Sequence, residues 1–358
     1  MKLKLPIPAA EFASGLLRWY RGHKRPLPWR ADNESLPDPY RVWLSEVMLQ
    51  QTQVRTVLPY FKEFIDRYPT LEDLARAEEN QVLASWSGLG YYSRARNLHK
   101  AARVVCEKYA GEFPREYDEA IQLPGVGRYT AGAVLSIVYG VPLPVLDGNV
   151  GRVLARYLGI TQRLNGLISE RLWRLLGEVA RDPAVAPEIA DFNQSLMELG
   201  ALVCSPRQPQ CCACPLAGTC RARAEGIQDT LPVSSRQRAT QEFHFISAVI
   251  GSGKQFLLRQ NHESDFLTGF WEFPWIDGRP DGGSQIAKTF FEKHGLKLRV
   301  EKVLPPVTHQ ITFRRLRFHP VVAFLQEPAP RDFTWVQPGQ PGFPISSYIG
   351  KIQRALGG

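Results

Sequence analysis

Five of the six cysteines of this 358-residue chain fall within seventeen residues, "CSPRQPQCCACPLAGTC", from Cys204 to Cys220. Cys204, Cys211, Cys214 and Cys220 have the spacing C-x6-C-x2-C-x5-C. A zinc ribbon wants two C-x2-C pairs, or one pair with histidines, and no histidine lies between residues 100 and 243. Four thiolates presented by one compact loop suit a cubane iron–sulfur cluster, with zinc as the alternative. Cys212, adjacent to Cys211, is expected to point away from such a site. Cys106, inside a helical run, reads as a core thiol.

Two carboxylates stand out by their neighbours. Glu46, in "YRVWLSEVMLQQT", is surrounded by Val42, Trp43, Leu44, Val47, Met48 and Leu49, a pattern expected of a helix buried on most sides. A carboxylate there is costly unless paired or neutralised. Desolvation would raise its pKa, which suits proton donation near neutral pH. The alternative is a narrow solvent stripe shared with Arg41 and Ser45. Asp147, in "LPVLDGNVGRVLARYL", follows an apolar run and precedes a helix beginning near Asn149. It reads either as a helix N-cap or as a negative charge able to stabilise positive charge developing on a sugar. Between the two, "LPGVGRYTAGAVLS" (123–136) links the helical candidate "YDEAIQ" to an apolar helix through Gly125 and Gly127. The backbone N–H groups of such a hairpin can face a phosphate, and glycine allows close approach; a plain packing corner is the alternative.

The elements that must hold these residues are mostly helical up to about residue 228. "EFASGLLRWYRGH", "YRVWLSEVMLQQTQVRTVLPYFKEFIDRY", "LEDLARAEENQVLASW", "YYSRARNLHKAARVVCEKY" and "SERLWRLLGEVAR" carry apolar residues at i, i+3, i+4 spacing. Their breaks fall at Pro and Gly, as in "RPLPWR" and "SGLGYY". Residues 229–242, including the polar "TLPVSSRQRATQE", read as a linker. Beyond it "FHFISAVIG", "QFLLRQ", "FRRLRFHPVVAFL" and "DFTWV" read as strands, and "SQIAKTFFEKHG" as a helix. The expected organisation is an α-domain over 1–228, with the cysteine loop at 204–220, followed by a smaller α+β domain over 243–358.

Net charge is +9, and residues from Phe243 onward contribute 14 Lys and Arg against 9 Asp and Glu, so both parts are basic. That suits a polyanionic partner. Hydrophobic content of 44% and charged content of 22% are those of a soluble globular protein. The opening "MKLKLPIPAAEF" carries no long apolar run, and "AGAVLSIVYGVPLPVL" is too short and too interrupted to span a bilayer. The expectation is a cytoplasmic protein, where clustered cysteines hold metal more often than disulfides.

Together, "LPWR", "SEVMLQQT", "GLGYYSR", "LPGVGRYTAGAVLS", "DGNVGRVL", "FNQSLMELGALVC" and the cysteine loop resemble the endonuclease III superfamily of DNA glycosylases, and within it the adenine DNA glycosylases. The resemblance covers nearly the whole chain. It implies a helix-hairpin-helix fold and a [4Fe-4S] cluster on Cys204, Cys211, Cys214 and Cys220. Bifunctional lyases of the superfamily carry a lysine where this hairpin has Tyr129, so without that amine a monofunctional enzyme is implied. By the same resemblance the target base leaves the duplex. Glu46 protonates adenine at N7, and Asp147 stabilises the oxocarbenium-like sugar by charge or by a transient covalent bond. Tyr129 and Asn149 orient that pair, while Trp29, Arg30 and Gln194 match adenine-pocket residues. Gln51, Thr52, Leu89 and Tyr91 match positions that contact or wedge beside the opposing 8-oxoguanine, with Gly125 and Gly127 on the DNA backbone. The implied partner is double-stranded DNA with A:8-oxoguanine or A:G mispairs, engaged by a monomer away from membranes, in a bacterial-type nucleoid.

"GFWEFPW" (269–275) resembles Nudix proteins, but "KTFFEKHGL" keeps Glu292 and Gly295 and lacks most of the acids that hold Mg²⁺, which implies a recognition domain and not a second hydrolase. Relatives of this type commonly read 8-oxoguanine with a Phe-Ser-His loop. Aligning His309 with the histidine that precedes that loop puts Ile311, Thr312 and Phe313 in its place; a shifted register would use Val307, Thr308 and His309. Thr312 keeps a hydroxyl for the lesion and Phe313 loses an imidazole, so a weaker preference for the lesion over guanine is expected. Two other classes compete: another mismatch glycosylase, such as a thymine-specific one, and a catalytically silent DNA-binding redox sensor. Glu46 and the second domain count against the former, and the pair of carboxylates against the latter.

Overall fold

The computed structural model describes residues 3–30, 37–233, 239–262, 267–340 and 342–356. The outermost residues of the two expected domains, and positions 234–238 of the expected linker, lie outside the described residues. The first part is built from α1 (Ala9–His23), α2 (Pro39–Leu49), α3 (Val54–Arg67), α4 (Leu71–Arg76), α5 (Glu79–Ser85) and α6 (Ser93–Tyr109). It continues through α7 (Tyr117–Ala120), α8 (Arg128–Tyr139), α9 (Gly148–Tyr157), α10 (Gly166–Ala180), α11 (Ile189–Leu202) and α12 (Arg221–Ala224). The second part runs β1 (Gln241–Val249), β2 (Gly251–Ser252), β3 (Gln255–Gln260), β4 (Trp271–Glu272), β5 (Trp275–Asp277) and α13 (Gly283–His294). It ends with β6 (Leu298–Val303), β7 (Val307–Ile311), β8 (Arg314–Leu325), β9 (Phe333–Val336) and α14 (Ser347–Leu356). No helix among the described residues is long and apolar enough to cross a membrane.

The helical core follows from i, i+4 periodicity. Phe12, Leu16 and Tyr20 of α1 meet Val150 and Leu154 of α9, Leu172 and Leu176 of α10, and Phe192, Leu196 and Leu199 of α11. Gly200 permits the α9–α11 approach, because a Cβ there would stand 2.7 Å from Asn149 Cβ. In the second part β1 pairs in parallel with β8 and antiparallel with β5, while β6 and β7 pair antiparallel with β8. The run "FISAVI" is buried on both faces: Phe245 and Val249 pack with Tyr348, Ile349 and Ile352 of α14, whereas Ile246, Ala248 and Ile250 pack with Ile286 and Phe290 of α13. A second, smaller sheet joins β2, β3, β4 and β9.

Two expected continuous helices are broken. The run at 40–68 divides into α2 and α3, with Gln51 between them at φ 57°. The run at 71–86 divides into α4 and α5. The described chain also falls into two compact units that differ from a division at the linker: Met1–Arg76 with Asn97–Gln237, and Ala77–Arg96 with Arg238–Gly358. Ala77–Arg96 groups with the sheet-containing unit because Ser87 Oγ donates to Ile345 O at 2.7 Å and the Tyr92 and Phe270 rings lie 4.0 Å apart.

Candidate active site

Glu46 lies on α2, which Asp38 caps by accepting from Tyr40 N at 2.8 Å and which Pro39 opens. Tyr40, Val42, Trp43, Leu44, Ser45, Val47 and Met48 are all buried around it, so the solvent-stripe reading does not hold: Ser45 is inside and only Arg41 faces water. Glu46 itself is 6% exposed. Tyr129, in the first turn of α8, donates from its hydroxyl to Glu46 Oε2 at 2.7 Å. Burial pushes the Glu46 carboxyl up to about 7; Asp147 adds to the rise, while the Tyr129 bond and Arg30 oppose it. Such a group is partly protonated near neutral pH and can deliver its proton to a buried acceptor. The Tyr129 hydroxyl is itself held well above its ordinary value, chiefly by burial, so it stays a donor.

Asp147 is the N-cap of α9, the first of its two expected readings. Its Oδ1 accepts from Val150 N at 2.7 Å, capping α9, and its Oδ2 accepts from Asn149 Nδ2 at 2.8 Å. Asn149 Oδ1 in turn accepts from Arg152 Nη2 at 2.9 Å, and Arg152 donates to Gly200 O and Cys204 O. The carboxylate is therefore fixed in direction through a side-chain chain that ends on the backbone of the cysteine loop. Upstream, Gly125 turns the hairpin at φ 77°, and Gly127 is the N-cap of α8 with no side chain capping it, so the first N–H groups of α8 stay free of a side-chain partner from that residue. A Cβ at Gly125 would clash with Asn97 Cβ at 2.7 Å.

Of the three expected pocket residues, Trp29 is buried with its ring 5.1 Å from that of Phe61, edge to face. Gln194 is half-buried and turns back to Ala190 O. Arg30 is held by a residue that sequence reasoning missed. Glu198, 1% exposed, accepts from Arg30 Nη2 at 2.9 Å and from Arg25 Nε and Nη2 at 2.8 Å each. Burial pushes the Glu198 carboxyl up, but the Arg25 and Arg30 bonds outweigh it and hold it down to about 2. Its contribution to stability is thus present above the ordinary carboxylate range and is lost only as the pH falls toward 2. The signal was the one that marked Glu46, a lone acid inside an apolar helix, here in "SLMELG".

Cys204, Cys211, Cys214 and Cys220 are half-buried and line one cavity with Arg156, while Cys212 is exposed and outside it. Arg156 is fully buried and donates to Cys204 Sγ, Ser205 O, Pro206 O and Leu231 O, tying the loop to α9. Among the described residues no three His, Cys, Asp or Glu side chains gather in the arrangement of a single-ion site.

Three of the residues expected to meet the opposing base, Gln51, Tyr91 and Thr312, have positive φ. Gln51 is exposed at φ 57°, and Thr52 bonds Gln50 O. Leu89 is buried at 5% exposure, whereas Tyr91, at φ 49°, is 39% exposed. Thr312 is exposed at the two-residue turn joining β7 to β8, at φ 53°, an uncommon conformation for a β-branched residue. His309 lies on the inward side of β7, its ring 6.1 Å from that of Tyr348; burial pushes its pKa down to about 4, with Lys351 adding to the fall. It is a neutral, half-buried histidine and not part of the turn.

Comparison with known proteins sharpens the class. The family described as "HhH-GPD superfamily base excision DNA repair protein" matches residues 44–178, and the "NUDIX domain" family matches 246–353. A solved thermostable thymine-DNA glycosylase is similar with a TM-score of 0.53 at 29% identity, covering 61% of this chain and 97% of that one. A trapped endonuclease III–DNA covalent intermediate shares the fold with a TM-score of 0.50 at 24% identity, over 62% of this chain and 99% of that one. The family matches and the fold thus define a helix-hairpin-helix DNA glycosylase carrying a Nudix-like unit. Among curated proteins, the adenine DNA glycosylase of Buchnera aphidicola (subsp. Schizaphis graminum) is 37% identical over 270 residues, 74% of this chain and 75% of that one. The human adenine DNA glycosylase is 39% identical over 320 residues, 75% of this chain but 58% of the longer human protein. The chain belongs to the adenine DNA glycosylase family.

Proposed function

We propose that the chain hydrolyses the N-glycosidic bond of adenine mispaired with 8-oxoguanine or guanine in double-stranded DNA, without lyase activity. The observation that carries this reading is the buried Glu46–Tyr129 pair with Asp147 close enough to raise the Glu46 pKa. Glu46 gives its proton to adenine N7, which weakens the bond to the sugar. Asp147, aimed by Asn149 and Val150 N, stabilises the positive charge left on the sugar until water adds to the anomeric carbon and gives its proton to Glu46, restoring the acid. Arg30, set by Glu198, together with Trp29 and Gln194, lines the adenine pocket. Tyr129 occupies the position of the lyase amine and cannot form a Schiff base. Because the acid must be protonated, excision is expected to fade as the pH rises through about 7. Removing the Tyr129 bond in Tyr129→Phe takes away a contact that favours the charged form. The alkaline limb of the single-turnover pH profile is then expected to move upward; a limb that stays put would deny that Glu46 is the titrating acid.

A [4Fe-4S] cluster fits the cysteine loop, since four half-buried thiols surround one cavity and a buried arginine stands beside it. When bound, the cluster supplies a crosslink that fixes the loop's fold, and the Arg152 and Arg156 bonds join that loop to the helix carrying Asn149. Cys211→Ser is expected to lose the brown absorbance and the iron, and Cys212→Ser to keep both. Domain limits of 1–228 and 243–358 accompany this reading, with the Nudix-like part as reader of the opposing base and not as a hydrolase.

The exposed Thr312 turn supports a role in reading the lesion, with Gln310 Nε2 donating to Thr312 O at 2.7 Å. Thr312 retains one hydroxyl for the lesion edge, a bond worth roughly 1 kcal/mol, about a fivefold preference. The test is single-turnover adenine release from A:8-oxoguanine and A:G duplexes by wild type and Thr312→Ala. The preference for 8-oxoguanine is expected to fall about fivefold in the variant. An unchanged preference would remove Thr312 from the reader.

A further inference from the structure

Gly88, Gly90 and Tyr91 all have positive φ, at 98°, 74° and 49°. For tyrosine this backbone is strained, and strain of this kind persists only where surrounding contacts over-determine the conformation. Some of those contacts come from the loop's own flanks. Trp86 Nε1 donates to Gly90 O at 3.2 Å, and Arg94, which is buried, donates to Leu89 O and Gly90 O while its guanidinium lies 5.3 Å from the Tyr91 ring centroid. The others come from the C-terminal sequence and bracket the strained residues at both ends. Before them, Ser87 Oγ donates to Ile345 O at 2.7 Å. After them, the Tyr92 ring lies 4.0 Å from that of Phe270, which is fully buried, and Arg96 donates to Thr268 O. Tyr92 Oη also accepts from Gly88 N at 3.2 Å, closing the loop on itself. The receiving backbone is ordered in turn: Trp271 N donates to Pro344 O at 2.8 Å, and Trp271 pairs with Ile345 as an isolated bridge.

We infer that Ser87 and Tyr92, anchored on Ile345 and Phe270, are positioning residues that hold Tyr91 in its strained, half-exposed wedge conformation, so that the Nudix-like fold completes the element that opens the base pair. The inference rests on the reading of Tyr91 as the wedge. It gives the C-terminal sequence a part in base opening separate from contact with the opposing base, since the Thr312 turn is not among these contacts. The anchors are the Ile345 carbonyl and the buried Phe270 ring, and side-chain changes on Ser87 and Tyr92 can remove those contacts without touching the reader turn.

The test uses the full chain as wild type, Tyr92→Leu, Ser87→Ala and Tyr92→Phe. Three quantities are measured: duplex affinity, the fluorescence rise of 2-aminopurine placed beside the target adenine, and single-turnover adenine release. Tyr92→Leu is expected to lower both the fluorescence rise and release, the latter roughly 10- to 100-fold, because a small displacement of a positioned group is costly in rate. Affinity should stay near wild type, since phosphate contacts dominate it. Ser87→Ala should change the same two readouts by less, and Tyr92→Phe, which keeps the ring on Phe270 and loses only the bond from Gly88 N, should retain most of both. Wild-type fluorescence and release in both Tyr92→Leu and Ser87→Ala would overturn the inference, as would affinity falling in step with release. If Tyr92→Leu does not fold, Ser87→Ala decides. A wild type that releases no adenine would overturn the proposed reaction instead, while the fluorescence readout would still decide the positioning role.

Discussion

Glu46→Gln is expected to lower single-turnover adenine release from an A:8-oxoguanine duplex by at least about a hundredfold, the lower end of what a positioned general acid contributes. The amide keeps the bulk of the carboxyl and can still accept from Tyr129, so the packing of Trp43, Val47 and Met48 around α2 has no reason to change. What it lacks is a proton to give. Burial that pushes the carboxyl up to about 7 is wasted on glutamine, so the variant should also lose the alkaline limb of the pH profile. Duplex affinity at fixed salt should change little, because phosphate contacts supply most of it. Near-wild-type release by Glu46→Gln would reassign the acid.

Asp147→Asn is expected to be as severe, with a loss of about a hundredfold to a thousandfold, the scale on which a preorganised electrostatic partner of the transition state acts. The substitution separates the two things Asp147 does. Asparagine is as good an N-cap as aspartate, so the bond from Val150 N and the start of α9 survive. The negative charge proposed to stabilise the sugar does not. A matched thermal midpoint with lost excision is the expected result. Lost excision together with a lower midpoint for the asparagine variant would mean that the cap, and not the charge, had been removed.

The sequence exposed these two residues because each broke a local rule, an acid in an apolar helix and an acid at an apolar run's end. The same rule would have found Glu198, but its meaning lay elsewhere: its partners Arg25 and Arg30 are 173 and 168 positions away, and nothing local joins them. Strand and helix positions in the second half were legible where apolar residues gather, as in Gln255–Gln260 and Gly283–His294. Trp271–Glu272 is too short to show a period, and Val307–Ile311 alternates in burial through the polar Thr308, His309 and Gln310, so its apolar residues alone gave no strand signal. The break between α2 and α3 was hidden because Gln51 takes a left-handed conformation that sequence reserves for glycine or asparagine. The grouping of Ala77–Arg96 with the C-terminal sequence depends on Ser87 and Tyr92 meeting residues some 180 to 260 positions later, a long-range fact with no local signature.

The most direct measurement of the central claim is product analysis under single turnover on duplexes carrying A:8-oxoguanine, A:G and T:G, each run with and without alkali. The account predicts free adenine from A:8-oxoguanine, slower adenine release from A:G, no thymine from T:G, and strands that stay whole until alkali is added. Thymine released from T:G, strand cleavage without alkali, or no adenine from A:8-oxoguanine would contradict it.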